Sequence, residues 1–490
     1  MQAYPALRER FRRISGLSGA SAILGWDQSV MMPKGASAVR GEQLAVLSGM
    51  IHELIAAAET GDLIERAREE ELDGWEAANL REIERGFRRA TALDGRLVEA
   101  ITRATSACEM TWRTARADND FASLAPRLEE VLALTRESAQ RYGEVLDLKP
   151  YDACLENFQP GLKRGEIESL FAPLEEQLPE MIDAALARQG KPQRPTGPFV
   201  LDKQRQLARS LMEQIGFDFD HGRLDESAHP FCGGVPGDHR LTTRYREDEL
   251  TSALMGVLHE TGHALYEAGL PAEWVSQPVG EARGMVAHES QSLLMEMQAC
   301  RSPQFVGYLS GRLIETFGDQ AAFATGNLTQ LYTHVERGLI RVDADELTYP
   351  LHIILRFRLE RALMEGDLAV ADLPGAWNDG MEELLQRRPD TDREGLMQDI
   401  HWPIGAIGYF PSYTVGAILA AQLFAAARRA MPQMPDEIGR GDFSGLLGWL
   451  REHVHGKASR LELSALVEEA TGRPLGTEDF LAHLRQRYLT

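Results

Sequence analysis

Cysteine is scarce in this chain. Cys108, Cys154, Cys232 and Cys300 are the four in 490 residues, and no CxxC spacing links them. Thiols so scattered do not make a disulfide framework; they read as the reduced cysteines of a cytoplasmic protein. A basic surplus is also missing. The chain has 52 Lys and Arg against 74 Asp and Glu, a formal charge of −22. Nucleic acid and anionic membranes both call for a basic face, so neither is expected as a partner. Long apolar runs are lacking too. The longest, about 415–427, falls short of the ~18 residues of a membrane span and is interrupted by Gln422. The first residues, MQAYPALRERFRRISGL, carry no apolar h-region, so a signal peptide is not expected. Long strand patterns, internal repeats and low-complexity tracts are absent as well.

What is present is a globular composition, 43% hydrophobic and 26% charged. The length suits about three domains of ~150 residues, or one large helical body with subdivisions. Apolar side chains spaced three and four apart predict helices over about 37–58, 75–115, 122–146, 164–188, 202–215, 249–268, 304–318, 350–365 and 414–430. Two stretches break the pattern. GKPQRPTGPF, residues 190–199, is read as a loop. ESAHPFCGGVPGDHRLTTRYR, residues 226–246, is read as a small hairpin-like sheet. The expected architecture is therefore all-α with one small β-sheet. Residues 1–190 would form an N-terminal helical part, and residues 200–490 a second part that carries the sheet.

His259-Glu260-Thr261-Gly262-His263 is an HExxH sequence within the predicted 249–268 helix. At i, i+4 the two imidazoles reach one metal ion, and Glu260 points beside them. Leu254, Leu258, Thr261 and Leu265 form a separate stripe that would face the core. A catalytic zinc keeps three protein ligands and one open position. Glu267, Glu273, Glu281, His288, Glu289 and Glu296 are downstream candidates for the third ligand, and spacing alone does not choose among them.

Further motifs then fall into order along the chain. They are Trp26-Asp27 through MMPKGASAVRGEQL, His229-Pro230-Phe231, Asp238-His239-Arg240-Leu241-Thr242, and His288-Glu289-Ser290-Gln291. Ile340-Arg341-Val342-Asp343-Ala344-Asp345 and Gly395 through Gln398-Asp399-Ile400-His401-Trp402 complete the set. With HExxH, these resemble the segments of the carboxypeptidase Taq family of metallocarboxypeptidases across most of the chain. The resemblance implies a helical fold with a deep groove and a small sheet beside the metal. It implies a cytoplasmic homodimer that removes single residues from peptide C-termini with broad preference. It also implies Glu289, 26 positions after His263, as the third ligand, with His288 its neighbour.

On that reading His259, His263 and Glu289 hold one Zn²⁺ per chain, and the N,N,O donor set accommodates Co²⁺ as well. Two neutral imidazoles and one carboxylate leave the site near +1, which acidifies a water toward pH ~7. Glu260 is the general base. Tyr409, Tyr413, His229 and His401 are candidates to steady the oxyanion. A substrate with a free C-terminus needs a cation, and a guanidinium binds a carboxylate through two hydrogen bonds. Arg341 is the first choice, with an ion pair to Asp343 or Asp345 as its structural alternative. Arg240 is the second, expected also to pair with Asp238. Asp399 is placed to orient His401. His453 and His455 are read as surface, and Cys232 as a small packed residue. Two other functions compete: an oligoendopeptidase with the same metal chemistry but no carboxylate clamp, and a helical scaffold whose zinc is structural.

Overall fold

The computed structural model describes residues 2–227 and 230–490. It is a predominantly helical body with one small sheet, as the periodicity predicts. The expected 75–115 helix divides in two, Gly74–Ala92 and Gly95–Asp118. Asp94 stands at the break, and its carboxylate accepts from the Leu97 N–H at 3.0 Å, capping the second helix. The long helix α1 (Ala3–Val30) was not foreseen, because its apolar residues do not gather on one stripe.

The sheet holds three strands. β1 (Gly222–Glu226), β2 (Phe231–Val235) and β3 (Asp238–Thr243) lie in the order β1-β3-β2. β2 and β3 form the anticipated hairpin, paired antiparallel with Cys232 opposite Leu241. β1 adds a parallel strand that the sequence pattern did not reveal, with Leu224 opposite Leu241. Leu241 packs with Val257 and Ala264, so the sheet lies directly against α2 (Thr251–Ala268), the HExxH helix. Glu249 fixes where α2 begins, accepting from the Ser252 N–H at 2.8 Å. Leu254, Leu258 and Leu265 are buried along the expected stripe, each contributing about 1.5–3 kcal/mol.

Three more helices complete the surroundings: α3 (Gly284–Leu293), α4 (Tyr349–Glu365) and α5 (Pro411–Ala430). α3 runs into a π-helical stretch, Leu294–Cys300, whose Leu294 and Met295 are core residues. The main core spans Ala104 to Leu484 and crosses residues 190–199, which have no regular structure. A satellite core made by Tyr4, Leu7, Phe11, Leu63, Leu80 and Ile83 holds the N-terminal helices together.

Candidate metal centre and active site

α2 and α3 cross at Gly262, the residue between Thr261 and His263. A Cβ there would lie 2.5 Å from the Gln291 carbonyl oxygen and 2.6 Å from the Ser292 Cα. Only glycine permits so close a backbone approach. On the far side of α3, a Cβ at Gly416 of α5 would come within 3.0 Å of the Glu289 Cβ and Cγ. Glu289 is thus held between the HExxH helix and α5.

The result is a cluster that spacing did not specify. His259, His263 and Glu289 each offer a ligand atom, all within 4.8 Å of one another. The His263 Nε2 lies 3.5 Å from a Glu289 oxygen. The His259 Nδ1 faces Glu296 at 3.0 Å, and Arg301 pairs with the other Glu296 oxygen. The His263 Nδ1 faces the His288 Nδ1 at 2.6 Å, and the His288 Nε2 faces Glu267 at 2.8 Å. Both ligand rings therefore spend Nδ1 on a neighbour and keep Nε2 for the space beside Glu289. Two imidazole nitrogens and one carboxylate oxygen, converging with their rings braced, fit a divalent ion.

The other third-ligand candidates take different places. Glu296, Glu267 and His288 brace the two histidines. Glu281 is not on α3 at all: it is exposed and precedes that helix. Glu273 is exposed in a short turn near Trp274. Glu296 lies two helical turns beyond Glu289, a repeat through which the sequence could have revealed it.

Glu260 is buried beside the cluster. Burial pushes its carboxyl up to about 7, and the charges of Glu289 and Glu296 add to the rise. Burial likewise lowers His263.

Behind the cluster is a wall built on one buried carboxylate. Asp399 accepts from Arg341 through Nε at 3.1 Å and Nη2 at 2.8 Å. Its second oxygen accepts from Arg356 Nε at 2.8 Å and Nη2 at 2.6 Å. The structural alternative for Arg341, an ion pair with Asp343 or Asp345, is not formed, because Asp399 takes the guanidinium. Asp345 instead accepts from the backbone N–H groups of Leu347 and Thr348, capping the turn before α4. Two guanidiniums and one carboxylate leave a buried excess of one positive charge. Arg356 was not anticipated, because it lies outside every motif.

His401 borders this wall. Its Nδ1 is 4.0 Å from Asp399 and has no hydrogen-bond partner, so Asp399 does not orient it. Both arginines already occupy the Asp399 oxygens. His401 is positioned instead by Tyr413, whose hydroxyl lies 3.2 Å from Nε2, and by the Phe410 ring at 4.3 Å. Burial holds its pKa down to about 4, which keeps the ring neutral near pH 7. Tyr409 and Tyr413 are 5.3 Å apart, and each feels the charges of both Glu289 and Arg341. Both tyrosines are therefore within electrostatic reach of the metal cluster and of Arg341.

Arg240 pairs with Asp238 at 2.6 Å and stacks over Trp26 at 4.6 Å, joining the sheet to α1. His229 lies outside the described residues. Cys232 packs beside Leu241 and Val257. His455 is a correction. It is buried rather than on the surface, with Nε2 3.0 Å from Gln291 and its ring against Gly269 and Tyr266.

Comparison with known proteins decides the family. Residues 6–488 match carboxypeptidase Taq (M32) metallopeptidase. The chain belongs to that family. Thermostable carboxypeptidase 1 of Thermus thermophilus is 36% identical, over 99% of this chain and 98% of its own. Carboxypeptidase 1 of Bacillus subtilis is 32% identical, over 97% of this chain and 96% of its own. Among solved structures, Trypanosoma cruzi metallocarboxypeptidase 1 superposes with a TM-score of 0.98 at 38% identity, covering all of both chains. The M32 carboxypeptidase of Deinococcus radiodurans R1 gives 0.95 at 36% identity, covering 100% of this chain and 99% of the other. This M32 protein is a metal-dependent carboxypeptidase of helical fold, and its metal is a divalent ion.

Proposed function

We propose that the enzyme releases single residues, with broad preference, from peptides with a free C-terminus, and that His259, His263 and Glu289 hold one Zn²⁺. The observation that carries this reading is the convergence of those three side chains beside a buried Glu260. An ion bound there supplies a Lewis acid that acidifies water and polarises a carbonyl. Glu260, poised near neutrality, takes the proton of the attacking water and returns it to the leaving amine. Tyr409, Tyr413 and His401 are our candidates to donate to the developing oxyanion, supported by their proximity to one another, and His229 is kept as a candidate from its motif. Arg341 receives the substrate carboxylate. Its support is the buried positive excess it shares with Arg356 and Asp399. Arg240, the second choice, braces the sheet through Asp238 and Trp26 and would meet substrate at that edge.

The test pairs metal content with product masses from one peptide in free and amidated forms. One zinc per chain, and stepwise loss of C-terminal residues from the free form alone, are expected. Internal cleavage of both forms would make the protein an oligoendopeptidase, and metal without turnover a scaffold.

The assembly is proposed as a cytoplasmic homodimer, with neither nucleic acid nor membrane as partner. Support comes from the four unpaired cysteines, the charge of −22, and the absence of any helix among the described residues long and apolar enough to span a membrane. The helix Ser37–Ala56 buries none of its residues and exposes Val39, Val46 and Met50, a face a second copy would cover. Light scattering that returned a single-chain mass would refute the dimer.

A further inference from the structure

The two histidines of the metal cluster are braced by different chemistry. His259 faces a carboxylate, Glu296, itself paired with Arg301. His263 faces another imidazole, with 2.6 Å between its Nδ1 and the Nδ1 of His288. Two Nδ1 atoms at that distance share one proton, so one ring donates and the other accepts. The far end of His288 decides which. Its Nε2 lies 2.8 Å from a Glu267 oxygen. An ionised carboxylate can only accept, so the His288 Nε2 carries hydrogen. With Nε2 of His263 as its ligand nitrogen, the hydrogen of that ring sits on Nδ1, and His288, whose own hydrogen faces Glu267 from Nε2, accepts it at Nδ1. The His263 Nε2 is left bare toward Glu289, 3.5 Å away. His288 is kept in this orientation by the Tyr266 ring at 5.6 Å and the His263 ring at 4.6 Å.

We propose that Glu267 and His288 act as a remote lock on the tautomer of His263, and that this lock sets how tightly the metal centre holds its ion. The proposal rests on the assignment of His259, His263 and Glu289 as ligands. Glu267 and His288 are positioning residues: they fix which His263 nitrogen is free and do not touch substrate. Without them the imidazole populates both tautomers, and the one protonated at Nε2 cannot bind. Ligand-orienting partners of this kind are worth ~10–100-fold in metal affinity. His259 needs no such relay, because Glu296 accepts from it directly.

Zinc affinity is measured by competition with a chelator for wild type, His288→Phe, Glu267→Leu and Glu267→Gln. The zinc-free proteins, with ¹⁵N-labelled histidine, report the tautomer of His263. His288→Phe and Glu267→Leu should each bind zinc ~10–100-fold more weakly. Glu267→Gln, whose amide oxygen still accepts from His288, should stay near wild type. The His263 signal should show a proton on Nδ1 in wild type and Glu267→Gln, and a mixture in Glu267→Leu. Affinities unchanged in both disrupting variants would overturn the lock, as would an equal loss in Glu267→Gln and Glu267→Leu. Wild type that takes up no zinc would instead overturn the ligand assignment.

Discussion

Glu260 and Arg341 illustrate how side chains acquire work from their surroundings. An ordinary helical glutamate is ionised and solvated, whereas Glu260 is buried with its carboxyl pushed up to about 7. A base of that pKa takes a proton near neutral pH and can give it back. Glu260→Gln keeps the shape but not the proton transfer. It should retain its metal and lose at least ~100-fold in kcat, the lower end of what a positioned general base contributes. Metal analysis with single-turnover kinetics checks this, and undiminished turnover removes the assignment. Arg341 is buried against Asp399 and 4.9 Å from the centre of the Tyr413 ring. Arg341→Ala should raise KM for free-ended peptides far more than it lowers kcat, because it removes a contact made in the ground and transition states alike. Equal KM values would transfer the clamp elsewhere. At this scale the sequence was legible where chemistry is local. HExxH carries two ligands and the base within five residues, and Glu289 came through its motif. Arg356 was hidden, since it matters through Asp399, distant in the chain, and Glu296 was weighed as a ligand although it braces His259.

At the scale of elements, the contact between α2 and α3 governs the cluster. Gly262 meets backbone, which cannot swing aside. Gly262→Ala should force the two helices apart, withdraw Glu289, and cost ~1–3 kcal/mol in stability along with metal affinity. At Gly416 the tightest contacts are with the Glu289 side chain at 3.0 Å, and the nearest backbone atom, Ser290 N, is at an ordinary 3.4 Å, so Gly416→Ala should weaken metal binding with a smaller effect on unfolding. Urea melts of the metal-free proteins, set beside zinc titrations, separate the two. Equal stability losses would mean that the α5 contact is as rigid as the α2–α3 crossing. Periodicity located α2, α4 and α5 because each buries a broad apolar face. It overlooked β1, whose sequence GRLDE has a single strong apolar residue and gains its place by pairing with β3. His455 was misjudged for a related reason. An HxH at a polar helix end looks exposed until Gly269 and Gln291 arrive from other elements.

Across the whole molecule, buried charge joins distant parts to the site. Arg283, 1% exposed, immediately precedes α3 and pairs with Glu82 from the N-terminal helices and Glu462 near the C-terminus. Removing one partner of a buried pair strands the others. Arg283→Ala should lower the unfolding free energy by about 3 kcal/mol, measured by denaturant titration, and a loss near zero would mean the cluster is solvated. The C-terminal helix Glu478–Leu489 is docked by Glu346, which meets His483 at 2.8 Å, Arg487 at 3.0 Å and the Tyr488 hydroxyl at 3.2 Å. Burial pushes the Glu346 carboxyl up, but His483 and Arg487 together draw it down to about 2. In the unfolded chain a glutamate titrates near ~4.3. The unfolded state therefore binds a proton first as pH falls, so stability rises with pH across this window. The contribution of Glu346, on the order of 3 kcal/mol, is complete above pH ~4.3 and is lost progressively toward pH 2. Glu346→Gln should consequently be less stable than wild type at pH 7, with the gap narrowing as the pH is lowered to 3. Urea unfolding at the two pH values reads the difference, and a gap that widened on acidification would show that Glu346 is not the anchor of the last helix.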